Sequence, residues 1–94
     1  MSSQIPITIR FYQELSYFLS KNQRGRRLQT TVPSGCSVKH AVETFGVPHT
    51  EVDLILVNEE PAGFNYILQP DDDISVYPVF ESFDISKPSR LQQR

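Results

Sequence analysis

The chain has 94 residues and a mass of 10.8 kDa, which gives room for one small domain. Hydrophobic residues make up 38% of it, enough for a core, and the formal net charge of −2 argues against a nucleic-acid packaging protein or a cationic membrane peptide. The only cysteine is Cys36, so no disulfide can form within the chain, and we expect a cytoplasmic protein.

The small net charge conceals an uneven distribution along the chain. Residues 1–40 carry six cations and one acid, residues 41–84 carry ten acids and no lysine or arginine, and residues 85–94 carry three cations. This layout favours steering toward a charged partner. The longest apolar run, residues 54–57, is far shorter than the roughly twenty residues that cross a bilayer, so no membrane partner is expected.

The first part of the chain predicts two strands separated by a basic loop. In residues 5–12, three isoleucines and Phe11 alternate with Thr8, Arg10 and Tyr12, which is the period of a half-buried strand. A short helical turn with Leu15, Phe18 and Leu19 follows, then the basic loop 21–27. The second strand is predicted at residues 28–32, before the breaker sequence Pro33-Ser34-Gly35.

The strongest helix signal follows that breaker. Ser37 is a suitable N-cap, and apolar residues recur at helical spacing at Val38, Ala41, Val42 and Phe45. Gly46 stands where helices commonly end, and Pro48 prevents continuation.

The remainder of the chain predicts two or three strands. Residues 54–57 form an apolar strand, 58–61 a turn, 62–64 a short strand, and 74–79 the last strand after an acidic turn at 71–73. Beyond Phe80 the apolar residues become sparse, so we expect one domain over residues 1–84 and a tail or linker over 85–94.

Two strands, a helix and two or three further strands have one compact arrangement. The first two strands form a hairpin, the helix crosses one face of the sheet, and the last strand returns beside the first. The sequence therefore predicts an α+β domain of the β-grasp, ubiquitin-like type, with a mixed sheet of four to five strands and one main helix.

Two segments carry a family resemblance. Residues 46–58 (GVPHTEVDLILVN) and 74–81 (ISVYPVFE) resemble the ubiquitin-like domain at the N-terminus of Mut-seven C-terminal RNase-type proteins, and the likeness extends over roughly residues 5–86. More distantly, the layout is similar to the sulfur carriers of molybdopterin and thiamine synthesis. The first resemblance implies an accessory module that precedes an RNase domain with a zinc-ribbon element, none of which is in this sequence.

The chain departs from that family at two turns. Asn58-Glu59 stands where the family usually has Asn-Gly, and Asp71-Asp72-Asp73 stands where it has Asp-Gly-Asp. Glycine tolerates a positive φ, so we expect strain or another turn type at both places. A sulfur carrier or modifier also needs a C-terminal Gly-Gly, and this sequence contains no such pair, its last glycine being Gly63.

The residues most suited to catalysis or metal binding form no recognised constellation. Cys36 and His40 are four residues apart at the predicted helix start, but no third orienting group is visible. Together with His49 they lack the paired spacing of zinc ligands. The acidic turn at 71–73 lacks the pattern of a calcium loop, and we predict that it is a solvated hairpin turn. We therefore expect no enzyme activity, no metal and no cofactor.

The basic loop is a candidate for docking. Four cations within seven residues, on a loop that contains Gly25, suit RNA phosphates, an adjoining domain or plain solvation. We favour a solvated loop or one that docks a domain over RNA contact, because much of the domain is acidic. The cations are Lys21, Arg24, Arg26 and Arg27.

The sheet face opposite the helix is a second candidate. If the isoleucines of the first strand face the helix, alternate residues of three strands share the other face and form an aromatic and aliphatic patch with one arginine. We predict a partner-binding surface there, although ordinary exposed surface and cover by Phe80 and Phe83 are equally compatible with the pattern. Its predicted residues are Arg10, Tyr12, Ile55, Tyr77 and Val79.

Overall fold

Five strands and one α-helix make up the described part of the chain. The structure, a computed structural model, describes residues 3–79, so the predicted tail and the aromatic residues Phe80 and Phe83 lie outside it. Short 3₁₀-helices occupy Gln13–Phe18, Lys21–Gln23 and His49–Glu51. The main elements are β1 (Gln4–Phe11), β2 (Leu28–Pro33), α1 (Val38–Thr44), β3 (Val52–Val57), β4 (Glu60–Pro61) and β5 (Asp72–Pro78).

The strands form one mixed sheet in the order β2-β1-β5-β3-β4. β1 is antiparallel to β2 and parallel to β5, whereas β3 is antiparallel to both β5 and β4. The first and last strands are thus neighbours at the centre, as the compact arrangement requires. The predicted β-grasp fold is confirmed.

One face of the sheet and the helix enclose the core. β1 buries Ile5, Ile7, Ile9 and Phe11, the alternate residues of a strand with period two. α1 buries Val38, Ala41 and Val42 in the same core, and β5 buries Ile74 and Val76. A helix of seven residues has little stability of its own, so this packing holds it in place.

The ends of α1 lie where the sequence predicts them. The Ser37 side chain accepts a hydrogen bond from the backbone N–H of His40 at 3.2 Å, which caps the first turn. Gly46 has a φ of +84°, and its N–H donates to the carbonyl of Glu43 at 2.9 Å. None of the helices within residues 3–79 combines the length and apolar character needed to cross a membrane.

Three strands, β3, β4 and β5, each begin two residues earlier than the sequence predicts. The short strand is Glu60–Pro61 and not residues 62–64, because Asn58 and Glu59 both take left-handed conformations, with φ of 53° and 70°. Two consecutive residues with positive φ form the tight turn of a two-residue hairpin loop, so the chain reverses direction directly after β3. β5 begins at Asp72, two residues earlier than predicted. In the acidic turn before it, the residue with a positive φ is Asp71, at 70°.

Asp72 is a charged side chain inside the domain, with only 4% of its surface exposed. Its carboxylate accepts hydrogen bonds from the side-chain amide of Asn58 at 2.9 Å, the backbone N–H of Gln69 at 2.8 Å and the hydroxyl of Tyr66 at 3.2 Å. The prediction of a solvated acidic turn is therefore wrong for Asp72. The first residue of β5 points to the inner face and anchors the connection from β4.

Replacing Asp72 by alanine is expected to lower the free energy of unfolding by about 2–3 kcal/mol, because three donors lose their common acceptor. Urea unfolding followed by circular dichroism measures the loss. Asp53→Ala, at an exposed position of β3, serves as the control and should change stability by less than about 0.5 kcal/mol. Equal midpoints for the two variants would contradict this role of Asp72.

The hairpin turn gives a prediction of the opposite sign. Glu59→Gly is expected to stabilise the domain by about 0.5–1 kcal/mol, because glycine removes the strain of a side chain at φ of 70°. Glu60→Gly, one residue later in the extended strand β4, should destabilise it by a similar amount. Thermal or urea unfolding of both variants provides the comparison, and a loss of stability in both would refute strain at Glu59.

Candidate functional site

The face of the sheet opposite α1 carries an aromatic and aliphatic surface around one arginine. Three central strands place their outward residues there, and the strand register aligns Arg10 with Ser75 and Leu54 with Tyr77. We call this surface the open face and define it by Arg10, Tyr12, Leu54, Leu56, Ser75 and Tyr77.

Two stacked tyrosines form the centre of the open face. The rings of Tyr12 and Tyr77 lie 4.4 Å apart between centroids with an interplanar angle of 10°, and the Arg10 guanidinium lies 4.8 Å from the Tyr12 centroid. The backbone N–H of Tyr12 donates to the carbonyl of Val76 at 3.0 Å, which fixes its position beside β5. Burial against its neighbours raises the pKa of Tyr77 above its ordinary value.

Four of the five residues predicted for this surface lie on it or beside it, and Ile55 does not. Ile55 is only 3% exposed because it pairs with the buried Val76, whereas Leu54 beside it is 41% exposed. A register shift between Val52 and Leu54 sets this phase. Val79 directly follows β5 and is 36% exposed.

The face of Ile55 was predicted wrongly because all four residues of the run LILV, residues 54–57, are apolar. A strand sequence shows which face is buried only where polar and apolar residues alternate. Residues 54–57 include no polar residue, so this strand has no such alternation. Leu54 and Leu56 were thus missed as surface residues. Pairing with β5, whose buried residues alternate clearly, determines the orientation of β3.

Three of the four cations of the basic loop have partners within the domain. Arg27 forms an ion pair with Asp73 at 2.6 Å, and that contact raises the pKa of Arg27. Arg24 donates from Nε to the carbonyl of Leu19 at 3.2 Å, and its guanidinium lies 5.4 Å from the ring of Tyr17. Arg26 donates to the carbonyl of Asn22 at 2.9 Å, and Lys21 is exposed.

Cys36 and His40 do not form a nucleophilic pair. Cys36 is 7% exposed, its thiol donates to the carbonyl of Ser37 at 3.4 Å, and burial raises its pKa. A raised pKa disfavours the thiolate, which is the reactive form.

His49, the remaining candidate for a metal ligand, contacts a carboxylate. Its Nδ1 lies 2.6 Å from Oε2 of Glu43, and this hydrogen bond lowers the pKa of Glu43. Within residues 3–79, the His, Cys, Asp and Glu side chains form no group of three or more placed to hold a metal ion.

Solved structures with a similar fold include three that represent two small proteins. Small archaeal modifier protein 1 of H. volcanii matches with a TM-score of 0.60 at 12% identity, over 79% of this chain and 97% of its own. A second crystal structure of SAMP1 from Haloferax volcanii gives a TM-score of 0.57 at 13% identity, over 82% and 98% of the two chains. Urm1 from Trypanosoma brucei gives 0.58 at 20% identity, over 87% and 99%. At these identities the likeness shows the fold alone.

The sequence comparison identifies a family. No curated protein sequence gives a significant match. The family described as Mut7-C ubiquitin matches residues 4–84, which include the five strands and the α-helix described for residues 3–79. The chain therefore belongs to the Mut7-C ubiquitin family.

Proposed function

We propose that this domain is a non-catalytic interaction module, an accessory part of a larger RNase-type protein, and that it docks a protein partner through its open face. The observation that carries the proposal is the stack of Arg10, Tyr12 and Tyr77 at the centre of that face, beside the exposed Leu54. Family membership supports the accessory role.

The composition of the open face supports docking. Tyrosine and arginine are the residues most enriched among those that contribute strongly to protein interfaces, and a rigid tyrosine loses little conformational entropy when it is covered. Tyr12 and Tyr77 already constrain each other by stacking, so a partner meets a preformed surface. If the open face only contacted water, polar residues would be expected at the positions of Tyr12, Leu54 and Tyr77.

Two other hypotheses fit less well. A role as a sulfur carrier would rest on the fold shared with the modifier proteins, and at 12% to 20% identity that likeness shows the fold alone. RNA contact would rest on the basic loop, where the side chains of Arg24, Arg26 and Arg27 already bond to the domain. Protein docking through the open face does not need a free basic loop.

Replacing Tyr77 by lysine should abolish partner capture, because a charge would interrupt the stack and would have to be desolvated in the interface. Wild-type and variant proteins are immobilised and exposed to a lysate of the source cells, and retained proteins are quantified by mass spectrometry. The amide spectrum of the variant should remain that of a folded protein, since Tyr77 is outside the core.

Ile67→Lys is the matched control. Ile67 is 45% exposed and forms an isolated bridge with Ser37, the residue that caps α1, so the same charge is introduced far from the open face. We expect this variant to retain the same proteins as the wild type. Equal retention by Tyr77→Lys and Ile67→Lys would exclude the open face as the contact.

The intact mass of the native protein shows whether this domain is joined to a further domain or occurs as a separate protein. We expect a mass above 10.8 kDa when the protein is isolated from its source cells with an antibody to this domain, because an accessory module is joined to another domain. A mass of 10.8 kDa would contradict the accessory role and leave a separate protein as the partner of the open face.

A further inference from the structure

We propose that Arg10 binds a carboxylate that the protein partner presents among apolar side chains. The inference rests on the proposed function and adds the chemistry of the partner: an aspartate or glutamate flanked by hydrophobic residues. Arg10 lies on a central strand, so any partner that covers the open face must also cover this arginine.

The hydrogen bonding of Arg10 is incomplete. Its Nε is buried and, among the described residues, has no hydrogen-bond acceptor. A buried N–H without an acceptor is uncommon and unfavourable, most of all in a charged group. The sheet thus holds a guanidinium whose acceptor this part of the chain does not supply.

The acids near Arg10 form no ion pair with it. Asp73, which lies on the same side of β5 as Ser75 and Tyr77, is held by Arg27 at 2.6 Å. Glu14 lines the same shallow groove as Arg10, about 560 Å³ in volume, together with Tyr12 and Tyr17. The two ion pairs within 4.0 Å among residues 3–79, Arg27–Asp73 and His49–Glu43, do not involve Arg10.

The surroundings of Arg10 favour a carboxylate over a phosphate. The guanidinium carbon lies over the Tyr12 ring, 4.8 Å from its centroid. The ring offers no hydrogen-bond acceptor in the guanidinium plane, and a carboxylate can bind a guanidinium edge with two parallel bonds. The carboxylate can bind both terminal nitrogens, or Nε and one terminal nitrogen after a rotation of the side chain. A phosphate usually needs several cations, and Arg27, a nearby candidate, is already paired.

Phenylacetate tests this chemistry, because it joins one carboxylate to one apolar ring. The full chain, labelled with ¹⁵N and ¹³C, is titrated while the Arg10 Nε–Hε signal and the Leu54 and Leu56 methyl signals are followed by NMR. We expect saturable shifts with phenylacetate, weaker at high salt, and none with the uncharged phenylacetamide. Equal shifts with both compounds, or no saturable shift with phenylacetate, would overturn the proposal.

Arg10→Gln removes the charge and should raise the Kd for phenylacetate about tenfold or more. Arg26→Gln, at an exposed arginine of the basic loop, is the matched control and should leave the Kd unchanged. Similar effects of both substitutions would indicate nonspecific attraction of an anion and refute a site at Arg10.

Two comparisons separate this inference from its alternatives. In the lysate capture, loss of the partner from Tyr77→Lys but not from Arg10→Gln would refute the carboxylate contact and leave the open face as the docking site. Retention by both variants would refute the proposed function itself.

The second comparison tests whether the chain's own acids bind Arg10. If Glu81→Gln or Asp84→Asn shifts the Arg10 Nε–Hε signal when no phenylacetate is present, the occupant is the chain's own C-terminal segment, and the inference of a partner carboxylate fails.

Discussion

The parallel pairing of β1 with β5 at the centre of the sheet determines both the core and the candidate site. It aligns Ile9 with Ile74 and Phe11 with Val76 on the side covered by α1, and these residues are buried. The same register places Arg10 beside Ser75 on the other side. Because successive residues of a strand point to opposite faces, a slip by one residue would bury the arginine and expose the isoleucines. The energy that fixes the core therefore also fixes the geometry of the open face.

The acidic run at the start of β5 shows how much one register position changes the role of a side chain. Asp71 occupies the turn with a φ of 70°, Asp72 is buried and accepts three hydrogen bonds, and Asp73 pairs with Arg27 at the surface. The carboxylate of Asp72 holds the long connection from β4 against the strand. The carboxylate of Asp73 fixes the end of the basic loop to the sheet. Identical residues thus secure two connections on opposite faces.

Most of the fold could be predicted from the sequence, because its determinants are local. The alternation in β1, the serine cap of α1 and the glycine after it each specify one structure without knowledge of the others. The run LILV and the triplet DDD specify nothing by themselves: every residue in each run has the same character, so only their neighbours in the sheet decide which are buried. Ile55 was misplaced for this reason, and the buried Asp72 was missed. The stack of Tyr12 on Tyr77 joins residues 65 positions apart in sequence, and only the predicted pairing of the first and last strands brought them to one face.

The two faces of the sheet are subject to different constraints. On the inner face, Ile9, Ile74 and Val76 are fully buried, so their volumes are fixed by close packing. On the open face, Tyr77 and Leu54 contribute little to that packing, and polar side chains would satisfy a strand pair equally well. The aromatic stack is therefore a feature that folding alone does not require. The open face combines two stacked tyrosines with an arginine whose Nε has no acceptor among the described residues. Because folding does not require these residues, we infer that their composition and preorganisation are those of a protein interface.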